Sequence, residues 1–234
     1  MSSTVVTASL RRSQLYRRHL ELNAQFEQIA DSTLVSNYRD GDSELARAKK
    51  LALVDLSTLP RIGFKGVGTP DWATALGMQL PEQPNQATVQ ADGTLIARLS
   101  QSELLLASNL AGLSEQIASV SQLVDQAALP ERVYSLPRRD SHSWLVLCGS
   151  DAAETLSKVC GVDLRPHKFA NGSVAQTSIA KINGVLVRND YADTVAYSIF
   201  SDSSSVEFLW DSLLDAMAEF EGTAVGVQAL RDCY

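Results

Sequence analysis

The chain has 234 residues, of which 45% are hydrophobic, and a formal net charge of −7 at pH 7. A chain of this length can bury its core as one domain or as two joined lobes. The acidic balance and the lack of a basic stripe with interleaved aromatic residues argue against a nucleic-acid-binding protein. No apolar run approaches the roughly 20 residues that a membrane-spanning helix needs.

The cysteine content indicates a reducing compartment. Cys148, Cys160 and Cys233 are an odd number and form no CxxC pair. The pattern predicts reduced structural thiols in a cytoplasmic protein. At the N-terminus, the composition predicts a flexible tail over residues 1–11.

Hydrophobic periodicity predicts both helices and strands in the first half of the chain. The predicted segments are a helix over 12–24, extended chain over 25–39, a helix over 43–50, strands over 51–57 and 61–65, a helix over 71–76, a loop over 78–91, strands over 94–97 and 103–106, and a helix over 110–125.

The second half repeats this order after a joint over 126–142. The predicted segments are a strand over 143–148, a helix over 151–160, a loop over 161–172, strands over 173–180, 183–188 and 196–201, and a long helix from Val206 to Phe220. The last helix carries one apolar stripe at helical spacing, which predicts packing against a sheet.

Two stretches about 80 residues apart resemble copies of one unit. Residues 62–66 and 144–149 are apolar strands that end in Gly, and each is followed by a helix with the pattern Asp-x-Ala-x-x-Leu. The repeat predicts an α+β fold of two pseudo-repeated, mainly antiparallel sheet-plus-helix lobes, over 12–130 and 131–234. A ligand site is expected in the seam between them.

Residue spacing alone does not identify a reaction. The chain has no phosphate-binding loop, no GxSxG motif and no nucleophile–base pair at a recognisable spacing. Its histidines lack the spacing of metal ligands. They are His19, His142 and His167.

Five short segments are similar to one known family. They are residues 15–26, 53–57, 64–73, 98–109 and 226–231, and include Leu15-Tyr16-x-x-His19, Leu53-Val54-Asp55-Leu56-Ser57 and Gly226-Val227-Gln228-Ala229-Leu230-Arg231. Their order and spacing resemble the folate-binding aminomethyltransferase family, which includes the glycine-cleavage aminomethyltransferase. The phrases at 163–166, 169–172 and 175–177 are most similar to the sarcosine oxidase gamma-subunit type. This resemblance implies the family's two-lobed fold without its third, barrel-like domain.

The resemblance also implies candidate site residues. Asp92 matches the first member of an acidic pair that acts on the folate nitrogens, and it is the candidate catalytic residue. The candidate folate-binding residues are Asn109, Arg188, Tyr191 and Arg231. Thr194 replaces the glutamate that would bind the pterin amino groups, and a hydroxyl cannot replace a bidentate carboxylate.

Each matched residue also has an ordinary structural interpretation. Asp92-Gly93 is a common hairpin-turn pair, and Asn109 can cap a helix N-terminus. Arg231 can oppose the partial negative charge of a helix C-terminus.

By resemblance, we expect a cytoplasmic subunit of an oxidative N-demethylase complex that acts on an amine such as sarcosine or dimethylamine. Its role is structural, or it assists the capture of released formaldehyde by tetrahydrofolate. Flavin or haem is expected only on the partner oxidoreductase subunits, in a hetero-oligomer without nucleic acid or membrane. The alternative is a stand-alone, short tetrahydrofolate-dependent aminomethyltransferase. A folate-dependent iron–sulfur maintenance protein ranks last, because Cys160-Gly161 lacks the preceding Lys-Gly of that branch.

Overall fold

A computed structural model describes residues 10–234, so the predicted tail lies almost entirely outside the described residues. The helices are α1 (Tyr16–Glu21), α2 (Gly41–Lys50), α3 (Thr69–Ala75), α4 (Glu115–Asp125), α5 (Arg138–Ser141), α6 (Ala152–Ser157), α7 (Val206–Ala218) and α8 (Val227–Arg231). The strands are β1 (Gln25–Ile29), β2 (Ser32–Asn37), β3 (Ala52–Asp55), β4 (Arg61–Lys65), β5 (Gln86–Val89), β6 (Leu95–Ser100), β7 (Glu103–Ala107), β8 (Tyr134–Leu136), β9 (His142–Cys148), β10 (Val174–Ile179), β11 (Ile182–Arg188), β12 (Ala196–Asp202) and β13 (Thr223–Ala224).

The strands form two larger sheets and a separate hairpin of β1 and β2. One sheet has five strands in the order β5-β6-β7-β4-β8, all antiparallel. The other has six strands in the order β10-β11-β12-β9-β3-β13, of which only the β13–β3 pair is parallel. The predicted α+β class with mainly antiparallel sheets is confirmed.

The core lies in three layers of side chains, which separate four layers of backbone. The middle layer lies between the sheets and includes Leu105 and Trp144. A second layer packs the six-stranded sheet against α6 and α7, and a third packs the five-stranded sheet against α3 and α4. The apolar stripe of α7 is buried in the second layer, as its spacing predicts.

The two sheets are related copies, and they exchange a strand. Strands β5, β6, β7 and β4 occupy the same relative positions as β10, β11, β12 and β9. Strands β4 and β9 are the central strands of the two copies. The strand that precedes each of them in the sequence, however, pairs with the central strand of the other copy. Strand β3 pairs with β9, and β8 pairs with β4.

Two equivalent glycines make this exchange possible. Gly66 and Gly149 end the central strands β4 and β9 with φ angles of +135° and +111°. A Cβ at these positions would lie 2.0 Å from the carbonyl oxygen of Arg132 and 2.3 Å from that of Lys50. Both carbonyls belong to the chain that leads into an exchanged strand, so only glycine allows its approach.

Each of the two larger sheets takes strands from both predicted lobes, 12–130 and 131–234. Strand β3 comes from the first range but lies in the second sheet, and β8 does the reverse. Backbone hydrogen bonds also join the copies, from Val174 to Asn85 at 3.0 Å and from Ala87 to Gly172 at 2.7 Å. The division into lobes at residue 130 therefore stays a prediction, and the sheets interlock across it.

The structure differs from the sequence prediction in two segments that flank the seam. Strand β5 lies within the predicted loop 78–91. It is a four-residue edge strand with no fully buried side chain, so its sequence lacks a strong apolar signal. The helix predicted from residue 110 begins at Glu115, where the Ser114 hydroxyl accepts a hydrogen bond from the backbone N–H of Ile117 at 3.0 Å.

Candidate functional site

A cavity of about 300 Å³ opens from the space between the two sheets. Residues of both copies line it. They are Val89, Gly93, Leu95, Ser108, Asn109, Leu110, Trp144, Asn189, Tyr191, Arg231 and Tyr234. We call this space the seam cavity, and it is where the sequence predicts a ligand site.

Aromatic side chains dominate the second copy's part of the cavity. Trp144 is buried, stacks on Phe200 with ring centroids 5.4 Å apart, and donates from Nε1 to the Ser198 hydroxyl at 3.0 Å. Tyr191 is also buried and meets Tyr234 edge-on with centroids 5.9 Å apart. Burial raises the pKa of the Tyr191 phenol, so the phenol stays uncharged at neutral pH.

Asn109 reaches the cavity, but its amide is already satisfied. Nδ2 donates to the carbonyl oxygen of Asp92 at 2.8 Å and to that of Leu113. Oδ1 accepts from the backbone N–H groups of Ala111 at 3.1 Å and Leu113 at 3.0 Å. The side chain therefore holds the loop before α4 and has little capacity left for a ligand.

Arg231 also lines the cavity, and a carboxylate from the β1–β2 hairpin neutralises it. Its guanidinium donates to both oxygens of Glu27, at 2.7 and 3.1 Å, and to the carbonyl oxygen of Leu110 at 2.9 Å. Such a two-point contact is the strongest common form of ion pair. The simple helix-end role considered for Arg231 misses this partner.

Asp92 does not line the cavity. One carboxylate oxygen accepts from the backbone N–H of Thr94 at 2.9 Å, and the other from the Ser114 hydroxyl at 3.2 Å and the Gln116 N–H at 3.4 Å. Partial burial acts to raise the pKa of Asp92, but these hydrogen bonds outweigh it and lower that pKa. Asp92 thus stabilises a hairpin turn and the start of α4, and a carboxylate with a lowered pKa is a weak base.

Arg188 does not line the cavity. It is buried, forms a two-point ion pair with Asp190 at 2.7 and 3.0 Å, and donates to the carbonyl oxygens of Pro166 at 3.0 Å and Phe169 at 2.7 Å. Its role is to fix the loop that precedes β10. Thr194 is buried in a tight turn with Tyr191, through two backbone hydrogen bonds of 2.9 Å.

The structure therefore brings Asn109, Tyr191 and Arg231 together at the seam cavity and leaves Asp92 and Arg188 outside its lining. Sequence reasoning missed two residues that decide the character of the cavity, Trp144 and Glu27. Trp144 is visible as the aromatic start of an apolar strand. Glu27 lies 204 residues from Arg231 and has no local signal.

The family model of the GCVT N-terminal domain matches residues 15–233. The chain belongs to this family. The Arthrobacter sarcosine oxidase subunit gamma is 27% identical over 189 residues, which cover 76% of this chain and 85% of that protein. An aminomethyltransferase from Acidobacterium capsulatum is 25% identical over an alignment of 244 positions, which covers 97% of this chain and 62% of that protein.

Two solved structures share the fold. The heterotetrameric sarcosine oxidase from Corynebacterium sp. U-96, in complex with pyrrole 2-carboxylate, matches with a TM-score of 0.62 and 26% identity, over 77% of this chain and 92% of the matched chain. The glycine cleavage aminomethyltransferase T from Bartonella henselae matches with a TM-score of 0.70 and 18% identity, over 95% of this chain and 61% of that chain. This chain thus spans about three fifths of the aminomethyltransferases that it matches.

The GCVT membership raises the question of whether the seam cavity fits a folate. Among the residues that the structure describes, no Asp or Glu lines the cavity, so no side-chain carboxylate there can form a two-point contact with the donor edge of a pterin. A missing charged hydrogen bond of this kind costs about 1.5–3 kcal/mol. The amide of Asn109 and the charge of Arg231 are also already paired. The residues present do not fit a folate.

Residues 10–234 lack two other features that would indicate a function. This part of the chain holds no cluster of three or more His, Cys, Asp or Glu residues arranged to bind a metal. It also holds no helix that is both long and apolar enough to span a bilayer.

Proposed function

We propose that this chain is a subunit of an oxidative N-demethylase complex, similar to the gamma subunit of heterotetrameric sarcosine oxidase, and that its role there is structural. The observation that carries the proposal is the likeness in sequence and fold to sarcosine oxidase. The chain is 27% identical to one sarcosine oxidase gamma subunit and 26% identical to a chain in a heterotetrameric sarcosine oxidase. The matched aminomethyltransferases are 25% and 18% identical.

The character of the seam cavity supports a structural role. Asn109 and Arg231 form hydrogen bonds within the protein, and Asp92 does not line the cavity. On this proposal, a cytoplasmic complex oxidises an N-methyl amine such as sarcosine or dimethylamine by means of flavin or haem on its partner subunits. Capture of the released formaldehyde by tetrahydrofolate then takes place outside this chain.

Co-purification tests the proposal. The tagged chain is expressed together with the products of its neighbouring genes, which the proposal expects to be oxidoreductase subunits, and the control cultures omit each product in turn. We expect a stoichiometric hetero-oligomer that oxidises an N-methyl amine, and no complex when a directly bound partner is omitted. A chain that remains a stable monomer beside correctly folded partners contradicts the proposal.

The second candidate function is a short aminomethyltransferase that binds tetrahydrofolate itself. It is favoured by one observation, the convergence of Asn109, Tyr191 and Arg231 on a cavity between the copies. Calorimetry of the isolated chain with tetrahydrofolate separates the two functions, and we expect no binding in the micromolar range. Micromolar binding that Asp92→Ala abolishes, while the exposed control Asp42→Ala retains it, would favour the aminomethyltransferase.

A further inference from the structure

We infer that Glu27 occupies the anion position of the seam cavity, so that the cavity selects uncharged ligands over anionic ones. This inference rests on the contact between Glu27 and Arg231, the cationic residue that lines the cavity. The inference concerns the isolated chain and does not depend on any partner subunit.

The geometry of the contact resembles that of a bound carboxylate. The two oxygens of Glu27 lie 2.7 and 3.1 Å from the two terminal nitrogens of Arg231, as a ligand carboxylate would lie on a guanidinium. The Leu110 carbonyl oxygen holds one of these nitrogens from a third direction at 2.9 Å. The guanidinium is thus fixed, and its charge is cancelled by a group that belongs to the protein.

No second carboxylate competes for Arg231 among its described neighbours. Asp232, the next residue in the chain, accepts instead from the side-chain amide of Gln228 at 2.7 Å. Glu27 itself comes from β1, where it stands opposite Leu34 of β2. Both partners of the pair keep only about a quarter to a third of their side-chain surface exposed, at 26% for Arg231 and 30% for Glu27.

An anionic ligand must therefore displace Glu27 before it can form the two-point contact with the terminal nitrogens of Arg231. The displaced carboxylate would be left half-buried without its partner, which is unfavourable. The remaining lining is mainly aromatic or aliphatic, with Trp144, Tyr191, Tyr234 and Leu95. The cavity as it stands suits a small, uncharged, largely aromatic molecule.

Two probes of nearly equal shape test this selectivity: benzoate, which is anionic, and benzamide, which is neutral. Calorimetry on the full chain at neutral pH measures both. We expect the wild type to bind benzamide at least tenfold more tightly than benzoate. In Glu27→Gln, which frees the Arg231 charge, we expect benzoate to gain at least tenfold while benzamide changes less than threefold.

Two further variants separate the local contact from general charge. Glu82→Gln removes one negative charge at an exposed site that does not line the cavity, and it should leave the benzoate affinity unchanged. Glu27→Gln combined with Arg231→Gln should lose the gained affinity.

Equal binding of the two probes by the wild type overturns the inference. So does a Glu27→Gln variant that shows wild-type circular dichroism and melting but no gain for benzoate. The wild-type comparison needs no substitution, so the test stands even if a variant does not fold. None of these outcomes bears on complex formation, which co-purification tests separately.

Discussion

At the scale of single residues, two segments that carried the family resemblance meet in one buried network. His19 and Asp55 are both buried, and Nε2 of His19 lies 2.9 Å from a carboxylate oxygen of Asp55. The other ring nitrogen of His19 lies 2.8 Å from the Tyr38 hydroxyl. The Ser13 hydroxyl and the Ser57 N–H also donate to Asp55. The network lies outside the seam-cavity lining, so its role is to join α1 to β3.

Removing the imidazole tests this role. His19→Ala leaves the buried Asp55 carboxylate without its ring partner, and we expect it to lower the free energy of unfolding by about 3 kcal/mol. His167→Ala, at an exposed position, is the matched control and should change stability by less than about 0.5 kcal/mol. Urea denaturation measures both, and equal midpoints for the two variants would show that the network is not stabilising.

The same network gives a pH dependence with a definite sign. Burial acts to raise the pKa of Asp55, but its hydrogen bonds outweigh burial and lower that pKa below its ordinary value. The pKa of Asp55 is therefore lower in the folded protein than in the unfolded chain, where it is about 3.9. The ionised carboxylate stabilises the fold at pH values above the unfolded pKa, and this stabilisation is lost as the pH falls through the folded pKa. The wild type should therefore lose more stability than Asp55→Asn over this acidic window.

At the scale of elements, the exchanged strands depend on two glycines. We expect Gly66→Ala and Gly149→Ala each to destabilise the fold by about 2–5 kcal/mol, because each adds left-handed strain and a clash with a backbone carbonyl. Gly161→Ala is the matched control, since its Cβ meets no atom within 4 Å. Chemical denaturation measures all three. The exchange does not depend on these turns if Gly149→Ala is as stable as Gly161→Ala.

Sequence reasoning found the elements whose burial leaves a periodic pattern. Strand β9 is apolar from Trp144 to Cys148, and α7 places its apolar residues on one face. Strand β5, with the sequence Gln-Ala-Thr-Val, is short and has no buried side chain, and its hydrogen bonds to β6 and Gly172 define it. The exchange of β3 and β8 also leaves no local trace, because the sequence of a strand does not specify which sheet it joins.

At the scale of the whole molecule, the two copies should be unable to fold apart. Cutting the chain after residue 130 leaves β3, whose four residues are all buried, without its neighbours β9 and β13. We expect fragments 1–130 and 131–234 to be unfolded or aggregated alone and to regain native circular dichroism when they are refolded together. Refolding of the intact chain is the control. Cooperative melting of either fragment alone would contradict this expectation.

The position of the candidate site could be predicted from the sequence, but the interactions of its side chains could not. The repeat located a seam, and the resemblance placed Asn109, Tyr191 and Arg231 on it. What these side chains can do depends on partners distant in sequence, above all Glu27. Such pairings follow from the packing of the hairpin against the sheets, which no short segment encodes.

The exchange of β3 and β8 gives the chain the topology of an intertwined homodimer joined into one polypeptide. Each exchanged strand pairs with the central strand of the other copy, as a swapped strand does between two subunits. Fusion of such an intertwined homodimer holds both partners at a high effective concentration. It also allows the two copies to differ in sequence. An ion pair such as Glu27–Arg231 can therefore form at one end of the seam without an equivalent pair at the other end.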